Sequence, residues 1–124
     1  MPSNSEKSRT NWYAVAYFYA AYQTVRASLM TDPIFDDLPR LRVHNPNWIA
    51  NDRGNNHHQA RRGRGQPAPP GVSDLVKALY PQIAVEYTQL HSASIAVRYG
   101  IGLDGYHADD LVAAFHKIAT VQLF

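Results

Sequence analysis

No cysteine occurs anywhere in the 124 residues, which excludes a disulfide framework and any thiolate metal centre. Long apolar runs are missing as well. The longest stretch without a charged side chain, Thr10 to Val25, is interrupted by Asn11, Gln23 and Thr24, so no membrane span is supported. The opening MPSNSEKSRT is polar and has no apolar core of the kind a signal peptide needs. The expectation is a cytoplasmic chain with no membrane partner. No strand-like alternation and no internal repeat is visible. Gly63-x-Gly65 is followed by no Lys-Ser/Thr and preceded by no strand, so it is not a phosphate-cradling loop. Nothing resembles a Ser-His-Asp or paired-carboxylate arrangement. His107 and His116 have no partners at ligand spacing on one face, and no metal or cofactor is expected.

What is present is an ordinary globular composition, 45% apolar and 18% charged, which argues against wholesale disorder. The length suits one domain spanning residues 1–124, with one buried core. Charge, by contrast, is unevenly placed. Between Arg40 and Arg64 lie six Arg against one Asp, a local +5 in a chain whose net charge is +2. The core of that stretch, Arg53 to Arg64, reads RGNNHHQARRGR and holds no acid. Concentrated positive charge attracts phosphate far better than the same charge spread evenly.

Apolar spacing predicts helices on either side. Residues 1–9 read as a flexible leader, with Thr10 or Asn11 capping a helix from about Trp12. Trp12, Val15, Phe18 or Tyr19, Tyr22, Val25 and Leu29 recur at three- and four-residue steps, and Asp32-Pro33 ends the run. Residues 31–72 read as one long basic loop, marked by Pro33, Pro39, Pro46 and Pro67 and allowing short helical turns at Ile34–Leu38 and His57–Arg62. Gly65 to Gly71 reads as a semi-rigid spacer. Ser73 then caps a short helix to Tyr80, after which Pro81 kinks that helix or opens the next. Ile83, Tyr87, Leu90, Ser94 and Val97 make a second long face that stops at Gly100. A final helix from about His107 turns Leu111, Val112, Phe115, Ile118 and Ala119 inward. The expected fold is all-α, an up-and-down bundle of three to four helices with the basic loop between the first and second.

The segments NWYAVAYFYAAYQTVRASL (11–29), YTQLHSASIAVRYG (87–100) and GYHADDLVAAF (105–115) resemble small prokaryotic members of the HEPN superfamily. The likeness runs over roughly residues 11–30 and 80–120. It rests on the aromatic- and Ala-rich first helix, on Tyr87, Leu90, Ser94, Arg98, Tyr99 and Gly100, and on the Tyr-to-Asp-Asp opening of the last helix. The resemblance implies a helical bundle that usually dimerises. It also implies either a metal-independent endoribonuclease of toxin or phage-defence type, with an antitoxin or larger complex as partner, or a relative that only binds. The family's catalytic signature is Arg followed four to six residues later by His, which Arg53 to His58 fits, and His57-x-x-x-Arg61 gives an inverted version.

Cleaving RNA without a metal needs a base for the 2′-hydroxyl, an acid for the leaving oxygen and a fixed cation for the phosphorane. Histidine suits the first two tasks and arginine the third. His57, His58, Arg53 and Arg61 are therefore the candidate catalytic residues, with Arg40, Arg42, His44, Trp48, Arg62 and Arg64 as candidate nucleic-acid contacts. Several of these residues have plainer readings. An Arg/His-rich loop is often a solvated surface, and Trp48 is either a plug anchoring the loop or a platform for a base. His91 reads as half-buried and structural, Arg98 as a helix-end or ion-pairing residue, and Arg26 as a partner for Glu86. Two other functions compete with the ribonuclease. One is a non-catalytic helical module whose basic loop docks on nucleic acid, nucleotide or an acidic protein. The other is a small subunit of a larger assembly.

Overall fold

The computed structural model describes residues 4–55, 70–100, 102, 103 and 105–124, with side chains from Trp12 onward. Among them every regular element is helical. There are five α-helices, one more than the sequence led us to expect: α1 (Asn4–Thr31), α2 (Leu38–His44), α3 (Val72–Leu79), α4 (Ala84–Arg98) and α5 (Ala108–Thr120). They divide between two compact units, one made of residues 1–24 with Val85–Val121 and the other of Val25–Ala84 with Gln122–Phe124. No described helix is long and apolar enough to cross a membrane.

In the first unit, α1, α4 and α5 each contribute one apolar face. From α1 come Ala14, Val15, Phe18, Ala21 and Tyr22; from α4, Tyr87, Leu90, Ala93 and Ala96; from α5, Leu111, Ala114 and Ile118. Phe18 sits at the centre. Its ring stacks on His91 at 4.7 Å and meets Tyr87 edge-on at 5.6 Å. Tyr17 stacks on Phe115 at 5.0 Å. His91 is thus a half-buried packing residue, as its apolar neighbours in sequence suggested.

Three expectations need correction here. The first helix begins at Asn4, not Trp12, because residues 4–9 hold no Pro or Gly to stop it and Glu6 suits its first turn. Trp12, expected inward, is half exposed. Val112 and Ala119 face outward, because the 111-114-118 spacing sets the face that α5 buries. The end of α4 is as expected: Gly100 takes a positive φ of 72°, and its N–H donates to Val97 O at 3.2 Å.

Glu86 of α4 accepts a hydrogen bond from Lys117 Nζ of α5. Arg26, for which pairing with Glu86 was one reading, donates from Nη2 to the carbonyl of Gly54 at 3.5 Å. Burial pushes the Glu86 carboxyl up, but the Lys117 hydrogen bond and charge outweigh it and the net shift is downward. A lowered folded-state pKa stabilises above the unfolded value and the gain is lost as pH falls through the folded one. Lys117→Ala should therefore cost about 0.5 kcal/mol at pH 7. The gap to wild type should close in urea melts as pH drops below about 4.

Over its described part, the second unit corrects the reading of 31–72 as one long, mostly irregular loop, while the short turn expected at Ile34–Leu38 is present as Pro33–Asp36. Residues 31–55 fold into a 3-10 turn (Pro33–Asp36), α2, and another 3-10 turn (Ala50–Gly54). The prolines are the reason. Pro33 and Pro39 break an apolar pattern, yet each sits in the first turn of a helical element, where its missing N–H costs nothing. An aspartate precedes each of these two. Asp32 Oδ1 accepts the Ile34 N–H at 2.9 Å, and Asp37 Oδ1 accepts the Arg40 N–H at 3.4 Å. The core beneath is Val25, Leu29, Phe35, Leu41, Leu75, Val76, Tyr80 and Ile83, all at most 1% exposed. Gly71, not Ser73, caps α3: its N–H donates to Asp74 Oδ2 at 2.8 Å. Pro81 opens the 3-10 turn Pro81–Ile83 that leads into α4.

Candidate nucleic-acid interface

The basic stretch is held down by its own few polar groups. Asp52, its one acid, is buried and accepts the Ile49 N–H at 2.9 Å and Asn55 Nδ2 at 3.3 Å. Asn55 also donates to Pro70 O at 2.8 Å. That bond ties together the two chain ends between which residues 56–69 run. The charge of Asp52 is therefore occupied in fixing the Ala50–Gly54 turn. The sequence did not reveal that function.

Arg53 fastens the same region. Its Nη2 donates to Asp32 O at 2.8 Å, its Nη1 pairs with Asp36 Oδ1 at 3.4 Å, and its guanidinium lies 5.3 Å from the centre of the Phe35 ring. The side chain is only 22% exposed. Arg53, a candidate catalytic cation in the sequence, clasps the Pro33–Asp36 turn to the Ala50–Gly54 turn. Its partners Asp32 and Asp36 lie 21 and 17 residues away, so no local spacing announced the contact.

The other candidates fall into three groups. His57, His58 and Arg61, with Arg62 and Arg64, lie outside the described residues, as does the helical turn expected at 57–62. Arg40, Arg42 and His44 are exposed on α2. Arg40 and His44 are four residues apart and share a face, while Arg42 Nε donates to Trp48 O at 3.4 Å. Trp48 itself is 6% exposed, which makes it the plug of the two readings offered. Its N–H donates to Asn45 O at 3.2 Å, closing the turn after α2.

Against that turn lies an open cleft of about 460 Å³, lined by His44, Asn45, Trp48, Pro70, Asp74, Lys77 and Ala78. Asp74, Lys77 and Ala78 form one face of α3 at i, i+3 and i+4. The sequence singled out His44 and Trp48 but missed Lys77 and Asn45. A Lys three residues after an Asp on a short amphipathic helix looks like any solvated surface pair. Among the described residues no group of three His, Asp or Glu side chains is placed to hold a metal ion. Compared with known proteins, the chain matches no family model, no curated protein and no solved structure.

Proposed function

We propose that this is a helical RNA-binding protein of HEPN-like type, whose basic segment from Arg53 to Arg64 is presented from a braced base to the phosphate backbone. The observation that supports it most is the bracing itself. Asn55 bonded to Pro70, with Arg53 clasped to Asp32 and Asp36, fixes both ends of a segment whose sequence carries Arg61, Arg62 and Arg64. Anchored ends lower the entropy cost of holding a stretch of chain against a ligand. The exposed Arg40, Arg42 and His44 of α2 add positive charge from the same unit.

Binding ranks ahead of cleavage. The ribonuclease reading assigns proton transfer to His57 and His58 and charge stabilisation to Arg53 and Arg61. Arg53 is spent on protein contacts, so cleavage would rest on the two histidines and Arg61 alone. One assay separates the readings: purified protein with a mixed RNA pool in EDTA, across a salt series. Binding should weaken steeply, with log K falling by about 0.7 per phosphate contact for each tenfold rise in salt. Replacing Arg61, Arg62 and Arg64 together by serine should flatten that slope by about 2. Affinity that ignores both salt and the triple substitution would remove the proposal. Cleavage lost in a His57→Ala/His58→Ala double variant would place ribonuclease activity first again.

A further inference from the structure

We propose that the cleft between the end of α2 and α3 is a nucleotide subsite, receiving one phosphorylated nucleoside unit, either within an RNA strand or as a free mononucleotide. This rests on the reading of the chain as RNA-binding. At about 460 Å³ the cleft falls within the size range of small-molecule sites. Its lining is of two kinds. Trp48, Pro70 and Ala78 provide apolar walls, while His44, Asn45, Asp74 and Lys77 provide polar groups. A bare anion has no use for the walls, and a purely apolar ligand would strand the lysine. A nucleotide carries both a flat apolar body and a phosphate.

The polar groups also suggest which end lies where. Lys77 and His44 are donors suited to phosphate oxygens. The Asp74 carboxylate, held by the Gly71 N–H at 2.8 Å, repels phosphate and is an acceptor of the kind that ribose hydroxyls and exocyclic amines engage. Asn45 is fixed too, since its Oδ1 accepts the Asn47 N–H at 2.9 Å, which leaves its amide N–H groups to donate. Trp48, almost fully buried, serves as a wall and not as a stacking platform. Pro70, one of its walls, follows Arg61, Arg62 and Arg64 in sequence by nine, eight and six residues.

The test titrates adenosine monophosphate, inorganic phosphate and a short unstructured oligoribonucleotide into wild-type protein and into Lys77→Glu, Lys77→Arg and Ala78→Phe. Calorimetry gives affinity, amide NMR shifts locate the site, and thermal melts confirm folding. Lys77 is exposed, so its charge reversal should leave the melt unchanged. Adenosine monophosphate should shift residues of α2 and α3. Lys77→Glu and Ala78→Phe should each weaken it about tenfold, and Lys77→Arg should keep it. Lys77→Glu should also lower the salt slope of the oligoribonucleotide by about 0.7. Unchanged mononucleotide affinity in both cleft variants would overturn the subsite, as would phosphate binding as tightly as the mononucleotide. Mononucleotide affinity that falls in those variants while RNA binding persists unaltered would keep the subsite, assign it to free mononucleotides and leave the basic segment's function standing. Mononucleotide binding in the cleft without any RNA binding would keep the subsite and end the RNA reading.

Discussion

Phe18→Ala is expected to destabilise the chain by about 3–5 kcal/mol, enough to unfold a domain of ordinary stability or leave it marginal. Phe18 is fully buried and neighbours the rings of His91 at 4.7 Å, Tyr87 at 5.6 Å, Tyr22 at 6.1 Å and the half-exposed Tyr19 at 6.2 Å. Alanine would remove the buried apolar area and leave a void. It would also lose the aromatic pairings, each worth about 0.5–1.5 kcal/mol beyond area alone. The next residue supplies the control. Tyr19 is 46% exposed, and its main described contact is the Arg98 guanidinium 5.1 Å from its ring centre. Tyr19→Ala should cost only about 0.5–1 kcal/mol. Urea midpoints at a common m-value decide the matter. If Phe18→Ala proves too unstable to purify, Phe18→Leu should still cost about 1–2 kcal/mol while keeping most of the volume. Equal losses at positions 18 and 19 would show that Phe18 is not the centre of this core.

That contrast marks what the sequence could and could not show. The expected face on α1 left Phe18 and Tyr19 as alternatives, because 3.6 residues per turn puts positions 18 and 19 about equally near the stripe through Val15 and Tyr22. Only packing chooses between them, and it buries Phe18. Of the face expected over 83–97, Ile83, Tyr87, Leu90 and Ser94 are buried, whereas Val97 is half-buried and Ala93 and Ala96, which the 4-3-4 spacing did not single out, are buried as well. Residues 31–55 were legible only in part: a short turn was expected at Ile34–Leu38, where Pro33–Asp36 lies, but α2 and the Ala50–Gly54 turn were not expected. Pro33, Pro39 and Gly54 are both turn formers and legitimate ends of helical elements. The capping aspartates distinguish the two cases, and they work over two or three residues, too short to register as a period.

The candidate site was legible as charge and illegible as geometry. Six arginines between positions 40 and 64 are plain in the sequence, but which ones are spent internally depends on residues far along the chain. Arg53 illustrates this. Placed four residues before His57, it fits a catalytic pattern, while its actual partners belong to the turn after α1. Arg40 and His44 are exposed on α2, of which Leu41 is the buried residue. Lys77 became a candidate only when Pro70 and Trp48 were seen beside it.

Asp32→Ala should be nearly as damaging as the loss of Phe18, by a different mechanism. Asp32 is 4% exposed, and its carboxylate accepts two hydrogen bonds, from the Ile34 N–H at 2.9 Å and from Tyr80 OH at 2.8 Å. Its backbone carbonyl accepts Arg53 Nη2. Alanine would leave a backbone donor and a fully buried hydroxyl without partners, each worth about 1–3 kcal/mol when orphaned in the interior. A total of about 3–4 kcal/mol is expected. Tyr80→Phe removes one donor together with its need for a partner, so it should cost only about 1–1.5 kcal/mol. The two variants also differ in alkali. Burial raises the Tyr80 phenol well above its usual range, and the hydrogen bond to Asp32 and that carboxylate's charge raise it further. A raised folded-state pKa gives stability that is fully present below the unfolded value, near 10, and is lost as pH climbs towards the folded one. Wild type should therefore lose about 1.4 kcal/mol per pH unit above about pH 10 for each such tyrosine. Tyr87, raised by burial, contributes likewise. Tyr80→Phe should reduce that slope by one proton. If its melting point falls with pH as steeply as that of wild type between pH 10 and 11.5, the Asp32–Tyr80 bond does not hold the Pro33–Asp36 turn that Arg53 clasps.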